Sequence, residues 1–433
     1  MLEMRKMKDS GIAWIGEIPE GWEVHRVKTH FSIISGSGFK PELQGQSTGD
    51  FPVCKASDIS SSGHYLHTSA NYITSDIVKS QHFSIIPKGS ILFAKIGEAM
   101  RKNNRSLCSL DCCVDNNCQG LVPKNISSEF SYYLFTCIDM TWFDNAGTIP
   151  CINNQKLYDC RIPFPSYDEQ LLISNHLNFQ CAKINEMLFH IRSSIEEYKK
   201  LKQAVITQAV TKGVRGEREM KDSGVEWIGE IPKEWGIQKI KSISSRINVG
   251  VVIRPSEYFD ENGTIPFLRG INVKEYVISS DNMVYINESS NRILSKSQVH
   301  TDDILIVRDG SIGTSCVVPA EYDGANVVSM VIATPSISCD SRFICYSLNS
   351  DVGKTQFTLT KIGSALTHTS VSAVSDIIVA VPSCAEQKEI ADYLDAKCTE
   401  IDGLIAKKEQ LVKELESYKK SLIYEVVTGK REV

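Results

Sequence analysis

Apolar residues recur every three or four positions through two long segments of the chain. The first, from residue 168 to residue 212, contains neither glycine nor proline, and the second contains one glycine, Gly403. This heptad spacing is typical of long helices that pack against a partner helix. We therefore predict two long helices whose apolar stripes face each other. The stripes comprise Leu177, Cys181, Ile184, Leu188, Ile191, Ile195, Tyr198, Lys202, Val205 and Ala209, then Leu394, Cys398, Ile401, Ile405, Lys408, Val412, Leu415, Lys419, Leu422 and Val426.

Start and stop signals frame both helices. A serine followed three residues later by a glutamate fits a capping box, in which each side chain bonds a free backbone amide of the first turn. Gly213 and Gly429 stand where a left-handed residue would end each helix. About 45 residues at 1.5 Å per residue correspond to a length of roughly 68 Å. The capping boxes are Ser166 with Glu169 and Ser383 with Glu386.

In the segment that precedes each helix, short β-type runs such as 90–94 and 303–307 alternate with Gly, Asn, Ser and Pro. This punctuation indicates mixed α/β domains over residues 23–160 and 236–380.

The chain repeats itself. "MKDSGIAWIGEIPEGW" at 7–22 returns as "MKDSGVEWIGEIPKEW" at 220–235, and "IPFPSYDEQLLISNHL" at 162–177 resembles "VAVPSCAEQKEIADYL" at 379–394. The chain therefore consists of two copies of one repeating segment. We predict an α+β protein with two pseudo-symmetric recognition domains held apart by an antiparallel pair of coiled-coil helices. The predicted parts are 1–160 and 216–380 for the domains, and 161–215 and 381–433 for the helices.

An alternative is that each helix packs only on its own domain. The matched stripes favour mutual packing, with the aligned Lys202 and Lys419 solvated at the edge of the stripe. Pseudo-symmetry further predicts that the first repeat motif lies beside the end of the second helix, with both termini close together.

The composition limits the kinds of protein that this chain can be. The 433 residues carry a net charge of −5 and are 42% hydrophobic, with no apolar run long enough for a membrane span. The first residues, "MLEMRKMKDSG", lack the apolar region of a secretory signal, so none is expected, and the fourteen cysteines are scattered without a C-x-x-C motif. We expect reduced thiols and a cytoplasmic location.

Two motifs, each present twice, carry a family resemblance. The pattern W-x-G-x-I-P-x-x-W occurs at 14–22 and 227–235, and P-x-x-x-E-Q-x-x-I occurs at 165–173 and 382–390. Together with the helix ends "QAVTKG" and "EVVTGK", they resemble the specificity subunit of type I restriction–modification systems over nearly the whole chain.

That resemblance implies a non-catalytic subunit that recognises a bipartite target in double-stranded DNA. Each domain would read one half-site, and the helices would set the unread spacer and dock two modification (methyltransferase) subunits. Restriction (helicase-nuclease) subunits would join them. No cofactor would bind this chain, whereas S-adenosylmethionine, ATP and Mg would bind the partners.

The sequence contains no Pro-Pro pair, and so no amino-methyltransferase motif, and no phosphate-binding loop of the G-x-x-x-x-G-K-[ST] type. A rival from another class is a coiled-coil scaffold that joins two protein-binding modules. A self-contained nuclease is disfavoured by the absence of a catalytic constellation.

If the resemblance holds, Lys and Arg would contact phosphates, and amide, hydroxyl and imidazole groups would read bases. The alternative for each candidate Lys or Arg is that it is a solvated surface charge without a role in binding. The densest segment is "AKIGEAMRKNNRS". The candidates are Lys40, Lys55, Lys95, Arg101, Lys102, Asn103, Asn104, Arg105, Asn153 and Asn154 in the first copy, and Arg254, Arg269, Lys274, Arg308, Ser311, Thr314, Thr367 and His368 in the second.

No metal site is predicted. Cys108, Cys112, Cys113 and Cys118 match no standard zinc spacing and have no neighbouring histidine. The tryptophans of the repeat motif are interpreted as packing against helix ends, with contact to a modification subunit as the alternative. They are Trp14, Trp22, Trp227 and Trp235.

Overall fold

The computed structural model describes residues 5–145, 147–359 and 368–433. Backbone contacts divide the chain into two compact units. Unit 1 consists of Met1–Ile191 with Gln410–Val433, and unit 2 consists of Arg192–Glu409. The domain limits predicted above follow the chain, whereas these units divide both long helices between them.

Unit 1 contains one copy of the repeat in its globular part. Its strands are β1 (Met7–Ile12), β2 (Gly16–Pro19), β3 (Glu23–Arg26), β4 (Phe31–Ser35), β5 (Phe51–Cys54), β6 (Tyr65–Leu66), β7 (Tyr72–Ile73), β8 (Ile91–Ala94), β9 (Arg105–Cys108), β10 (Cys113–Val114), β11 (Cys118–Pro123) and β12 (Arg161–Phe164). Its helices are α1 (Val27–His30), α2 (Ala56–Ser61), α3 (Ser75–Ser80), α4 (Gly97–Arg101), α5 (Ser128–Thr136), α6 (Asn154–Asp159) and the first part of α7 (Tyr167–Lys212).

Unit 2 contains the other copy. Its strands are β13 (Met220–Asp222), β14 (Glu230–Pro232), β15 (Gly236–Lys239), β16 (Ser244–Val249), β17 (Ile265–Leu268), β18 (Val273–Lys274), β19 (Val277–Ile278), β20 (Val284–Ile286), β21 (Ile304–Val307), β22 (Ser315–Val317), β23 (Asn326–Val327), β24 (Met330–Pro335) and β25 (Ile378–Val381). Its helices are α8 (Ile240–Ile243), α9 (Glu288–Ile293), α10 (Ser341–Asn349), α11 (Asp351–Leu359), α12 (Val371–Ser375) and the first part of α13 (Cys384–Val427).

The main sheets of the two units follow one plan. In unit 1 the strand order is β4-β11-β8-β9-β6, and in unit 2 it is β16-β24-β21-β22. Apart from β6, which is parallel to β9, neighbouring strands are antiparallel. A smaller sheet accompanies each, ordered β10-β5-β7 and β20-β17-β23.

The central strand of each main sheet is buried on both faces. In β8, Ile91 and Phe93 join the core beneath α5, while Leu92 points into a second core shared with Cys54 and Cys118. Successive strand side chains face opposite sides of a sheet, so a sheet covered on both faces needs a continuous apolar strand. The run predicted as β from the sequence therefore forms the centre of the sheet.

The long helices run antiparallel within each unit. In unit 1, Ile173 of α7 and Val426 of α13 line one cavity, and Lys419 bonds Asn185. In unit 2, Lys202 pairs with Asp402 at 2.7 Å. The position along α13 thus falls as the position along α7 rises. The prediction of two mixed α/β domains with a pair of long helices is confirmed.

The predicted stripe lies in the interior of both units. Burying a leucine or isoleucine side chain contributes about 1.5–3 kcal/mol, so this stripe supplies much of the helix pairing. Leu177, Ile184, Leu188, Ile195, Leu394, Ile401, Ile405 and Leu422 are buried, and Ile191, Val412 and Leu415 are half-buried.

A three-residue cluster, which we call the clasp, holds each repeat motif to the start of a long helix. In unit 1 the Nε1–H of the buried Trp22 donates to Glu169 Oε2 (2.8 Å), and the guanidinium of Arg5 pairs with the same carboxylate. Arg5 also lies over the Trp22 ring, 5.5 Å from its centroid. The carboxylate predicted to complete a capping box is therefore engaged by the repeat motif, while the Glu169 amide donates to Ser166 Oγ at 3.3 Å.

Unit 2 repeats the clasp with different polar contacts. Arg218 Nη1 lies 2.7 Å from Glu386 Oε1, and its guanidinium is 5.3 Å from the Trp235 ring. The Glu386 amide donates to Ser383 Oγ (3.4 Å).

The C-terminal ends of the helices also contact the repeat motifs. Gly213 and Gly429 have left-handed φ angles of 77° and 73°. A Cβ on Gly429 would lie 2.4 Å from the Pro19 ring, and the Tyr424 hydroxyl donates to the Trp14 carbonyl at 3.0 Å. The first repeat motif thus lies beside the end of α13, as pseudo-symmetry predicted, and Arg5 lines the same cavity as the C-terminal residues 431–433.

Candidate nucleic-acid interface

One edge of the main sheet gathers the loops that carry the candidate residues of unit 1. Because the strands are antiparallel, β4 and β8 end where β11 and β9 begin. Ser37 forms an isolated bridge with Asp115 there, and the Lys95 amide donates to the Asn117 carbonyl at 2.8 Å. The Ile152 amide donates to the Lys95 carbonyl at 2.9 Å. Four loops distant in sequence, at 36–40, 95–105, 115–117 and 147–154, therefore meet at this edge.

Unit 2 has the same arrangement at the same edge. Val251 bridges Val328, and the Ser329 amide donates to the Val251 carbonyl at 3.0 Å. The Thr369 amide donates to the Arg308 carbonyl at 3.0 Å. Arg308 thus occupies the position of Lys95, at the end of the central strand. We call these two regions the sheet-edge loops.

The candidate cations of unit 1 differ in how exposed they are and in whether a side chain of the protein already pairs with them. Lys40 and Lys102 are exposed, and Lys95 is half-buried at the centre of the edge. Arg101 is exposed but pairs with Glu98 at 2.7 Å. Lys55 is half-buried, and its ammonium donates to the Gln44 side-chain oxygen at 2.6 Å, so it supports the 36–44 loop.

Arg105 requires a correction to the sequence expectation. The segment predicted it as a surface contact, but the residue is only 6% exposed. Its Nη2 donates to the Ile138 carbonyl at 3.1 Å and to the side chain of Asn103. Arg105 is the first residue of β9, and the Asn103 side-chain oxygen that accepts from its guanidinium also accepts from the Met140 amide, at the start of a 3₁₀ turn.

The amide side chains near this edge mostly build the loops. Asn103, with a left-handed φ of 58°, accepts from the Met140 amide, and Asn104 donates to Ser60 Oγ at 3.0 Å. Asn153 caps α6 by accepting from the amides of its first turn. The Asn154 side-chain oxygen accepts from Gln119 at 3.1 Å.

The sequence reasoning missed the polar residues that begin β11. Asn117 meets Lys95 through its backbone, and the buried Gln119 orients Asn154. Their segment, "DCCVDNNCQG", has amide residues directly before an apolar strand, and this pattern is a usable signal for a loop at a sheet edge.

The second copy offers a different set of groups. The Arg308 Nε donates to the Thr369 carbonyl at 2.9 Å, and His368 is exposed on the strand bridge to Asp309. Ser311 is exposed, and the Thr314 amide closes a turn on the Ser311 carbonyl. Thr367 lies outside the described residues.

The loop after β16 is strongly exposed. Arg254 has a left-handed φ of 44°, an uncommon conformation for a residue with a side chain, and its ion pair with Glu257 is largely solvated. Beside it, Ile253 is 77% exposed, which the sequence reasoning also missed. Such a tip presents an apolar and a cationic side chain together.

Two further candidates of unit 2 lie beyond β17. Arg269 is half-buried and donates from Nη2 to the Asn282 carbonyl, so it closes its own loop. Lys274 is exposed at the end of β18.

The cysteines are free thiols, nine of them buried and five half-buried. In the described residues no cysteine forms a disulfide, and no group of His, Cys, Asp and Glu has the geometry of a metal site. Hydrogen bonding to Cys112 and burial both raise the pKa of the Cys108 thiol above its usual range. A raised pKa keeps the thiol protonated, whereas a metal-binding cysteine is a thiolate.

Comparison with known proteins decides the family. Residues 19–197 and 232–414 each match the type I restriction modification DNA specificity domain. The chain belongs to this family. Both copies of the repeat are covered, so the internal duplication of this specificity subunit is the duplication of that domain, and the predicted resemblance is confirmed.

Curated relatives match this specificity subunit over most of its length. It is 23% identical over 387 residues to the type I restriction enzyme MjaIX specificity subunit of Methanocaldococcus jannaschii, covering 85% of this chain and 84% of the relative. It is 24% identical to the MjaVIII specificity subunit of the same organism, covering 95% and 93%. The EcoKI specificity subunit of Escherichia coli matches about half of each chain, 47% and 44%, at 21% identity.

Solved structures share the fold of the specificity subunit. A chain from work on complex assembly and conformational transition of the type I R-M system superposes with a TM-score of 0.71 at 15% identity, covering 96% of this chain and 99% of that one. The HsdS subunit from Thermoanaerobacter tengcongensis gives a TM-score of 0.50 at 16% identity, covering 96% and 98%. Among the described residues, no helix has the length and apolar character needed to cross a membrane.

Proposed function

We propose that this specificity subunit reads a bipartite sequence in double-stranded DNA, with each unit contacting one half-site through its sheet-edge loops. The observation that carries the proposal is the repeated edge itself. In each unit a cation, Lys95 or Arg308, stands at the end of the central strand among loops from distant parts of the sequence. Cations at such a position supply phosphate affinity, and the surrounding polar side chains supply contacts to base edges.

The chemistry is proposed to reside in partner subunits. We infer that the chain works in the cytoplasm with two modification subunits and with restriction subunits, and that S-adenosylmethionine, ATP and Mg bind those partners. The lack of a methyltransferase motif or phosphate-binding loop in the sequence supports a non-catalytic role.

The test replaces the two equivalent cations, in Lys95→Ala and Arg308→Ala. Each substitution removes about one phosphate contact, so the dependence of log K on log salt concentration should become shallower by about one. The measurement is the affinity of the assembled complex for duplex DNA over a series of salt concentrations.

Lys28→Ala and Lys241→Ala are matched controls. These residues precede β4 and β16, at the opposite end of the sheet from the sheet-edge loops, and both pair with aspartates, Asp159 and Asp376. Their replacement should leave the salt dependence unchanged. Equal effects in all four variants, or no DNA binding by the wild-type complex, would reject the proposal and favour the scaffold alternative.

A further inference from the structure

Unit 1 contains a polar cavity of about 470 Å³, which the end of the 95–105 loop lines together with residues outside the sheet-edge loops. It lies between α5, the start of β9 and the paired portions of α7 and α13. Its polar walls include Arg105, His64, Asn185, Lys419 and Lys420. In the described residues, no aspartate or glutamate lines it.

Arg105 is the buried cation of this cavity. It is only 6% exposed, and its Nε and Nη1 groups have no hydrogen-bond partner among the described residues. Burial lowers the pKa of its guanidinium to about 10, which still leaves the group protonated at neutral pH. The Asp139 carboxylate is near enough to favour the charged form, but Arg105 forms no ion pair among the described residues. A buried cation without an ion pair is costly, so a site of this kind favours a bound anion.

A second cation reaches the cavity from α13. The Lys419 ammonium donates to the side-chain oxygen of Asn185 at 2.7 Å. This bond fixes the ammonium without neutralising it, because Asn185 is uncharged. The nearby acid Glu129 pairs with His64 at 3.1 Å and accepts from the Tyr65 hydroxyl at 2.7 Å, so its charge is engaged beside the cavity.

Unit 2 shows the same position in a self-neutralised form. Lys202 and Asp402 are the repeat equivalents of Lys419 and Asn185, and they form an ion pair at 2.7 Å. Strand register makes Ser315 the equivalent of Arg105, since Ser315 pairs with Ile306 as Arg105 pairs with Phe93. At these positions unit 2 therefore has a lysine paired with a carboxylate and no arginine. Unit 1 has a lysine, an arginine and an uncharged amide.

We propose that the unit 1 cavity binds a phosphate group. The donors converge from three elements, β9, α7 and α13, which suits a tetrahedral oxyanion better than a planar carboxylate that offers two oxygens. The group belongs to a phosphodiester of bound DNA or to a free phosphate-bearing molecule. Binding of a free phosphate-bearing molecule does not depend on the proposed DNA function, whereas binding of a DNA phosphodiester rests on that function.

The decisive variant is Asn185→Asp, which copies the Lys202–Asp402 pair into unit 1. Because unit 2 already accommodates this pair, the variant is expected to fold. It neutralises Lys419 and places a carboxylate in the cavity, so phosphate binding should weaken about tenfold or more. Lys419→Gln should act in the same direction while keeping a partner for Asn185.

Asn175→Asp is the matched control. Asn175 is exposed on the same helix and does not line the cavity, so this variant adds the same charge elsewhere. Isothermal titration calorimetry of the full-length chain with inorganic phosphate, and separately with acetate, at constant ionic strength measures the site directly. Duplex DNA affinity of the assembled complex over a salt series measures the phosphodiester source.

Saturable phosphate binding that is lost in Asn185→Asp and kept in Asn175→Asp supports a free phosphate ligand. Loss of DNA affinity with a salt slope shallower by about one in Asn185→Asp alone supports a DNA phosphodiester. The inference is overturned if Asn185→Asp changes neither quantity, or if acetate binds as tightly as phosphate. Failure of the wild-type complex to bind any DNA would instead count against the proposed function.

Discussion

At the scale of single residues, the two clasps show how repeated sequence can carry unequal energetics. Glu169 is partly exposed and accepts from Trp22 and Arg5, whereas the Glu386 side chain is only 3% exposed and faces Arg218. An ion pair between buried partners is sensitive to the loss of one charge, because the remaining charge stays desolvated.

We expect Glu386→Gln to lower the free energy of unfolding of unit 2 by about 3 kcal/mol, since Arg218 loses its buried counter-charge and keeps only the exposed Glu234, 3.0 Å away. Glu169→Gln should cost unit 1 about 1 kcal/mol, because Glu169 is more exposed and the amide oxygen can still accept from Trp22. Urea unfolding of both variants beside the wild type gives the comparison. Equal losses would show that the burial difference between the clasps has no energetic consequence.

The surroundings of His30 predict that the stability of unit 1 depends on pH. It is buried against His25, with Nε2 2.7 Å from His25 Nδ1, and it stacks on Phe164 at 4.0 Å. Burial first, and then repulsion from His25, lower the pKa of His30 below 6.5. In the acidic range the unfolded chain therefore binds more protons at this position than the folded chain does.

The stability contributed by neutral His30 is present above the unfolded pKa of 6.5 and is lost as the pH falls toward the lower folded pKa. Urea midpoints should decrease from about pH 7 to about pH 5, and His30→Phe, which keeps the stacking, should flatten that decrease. His67→Phe is a control, since His67 is exposed and its Nδ1 lies 2.9 Å from Ser109 Oγ. An unchanged slope in His30→Phe would refute the assignment.

At the scale of elements, the sheet-edge loops depend on close backbone approach. A Cβ on Gly36 would lie 1.9 Å from the Asp115 carbonyl oxygen, and a Cβ on Gly250 would lie 2.5 Å from the Val327 carbonyl oxygen. Both glycines directly follow the edge strand of the main sheet, β4 or β16. The loops after β4 and before β11 therefore pack at a distance that only glycine permits.

Gly36→Ala should separate these loops, with a loss of about 1–3 kcal/mol in the stability of unit 1 and weaker DNA binding. Gly38→Ala is the control, because nothing lies within 4 Å of a Cβ at that position of the same loop. Unfolding midpoints and duplex affinities of the two variants are compared. Equal behaviour would argue that the close approach of the loops is unimportant.

At the scale of the whole molecule, the long helices are predicted to set the spacer between half-sites. This stays a prediction. Seven residues preserve the heptad stripe, and they add about 10 Å, or roughly three base pairs. Insertion directly after Lys202 in α7 together with insertion directly before Asp402 in α13 keeps the facing positions matched, because these residues pair and the helices run antiparallel.

We expect the double insertion to change the preferred spacer while both half-sites stay the same, as measured by selection of bound sequences from a random duplex library. A paired four-residue insertion, which displaces the apolar stripe, is the control and should lower stability. New half-sites with an unchanged spacer would contradict the role of the helices.

Local periodicity explains what the sequence determined by itself. Heptad spacing, serine caps and terminal glycines depend on neighbours within a few turns, so both helices and their ends at Gly213 and Gly429 followed from the chain. The pseudo-symmetry of the repeat predicted their antiparallel pairing. The repeat and its motifs identified the family for the same reason, since they are properties of order along the chain.

Only the tertiary structure decided what each polar residue does. Arg105 and Asn103 share one basic segment with Lys102, yet β9 buries the first, the turn uses the second, and the third is exposed. Lys202 and Lys419 are equivalent in sequence, but one meets Asp402 and the other Asn185. Charge and hydrogen bonding depend on partners that are close in space and distant along the chain, and folding alone brings those partners together.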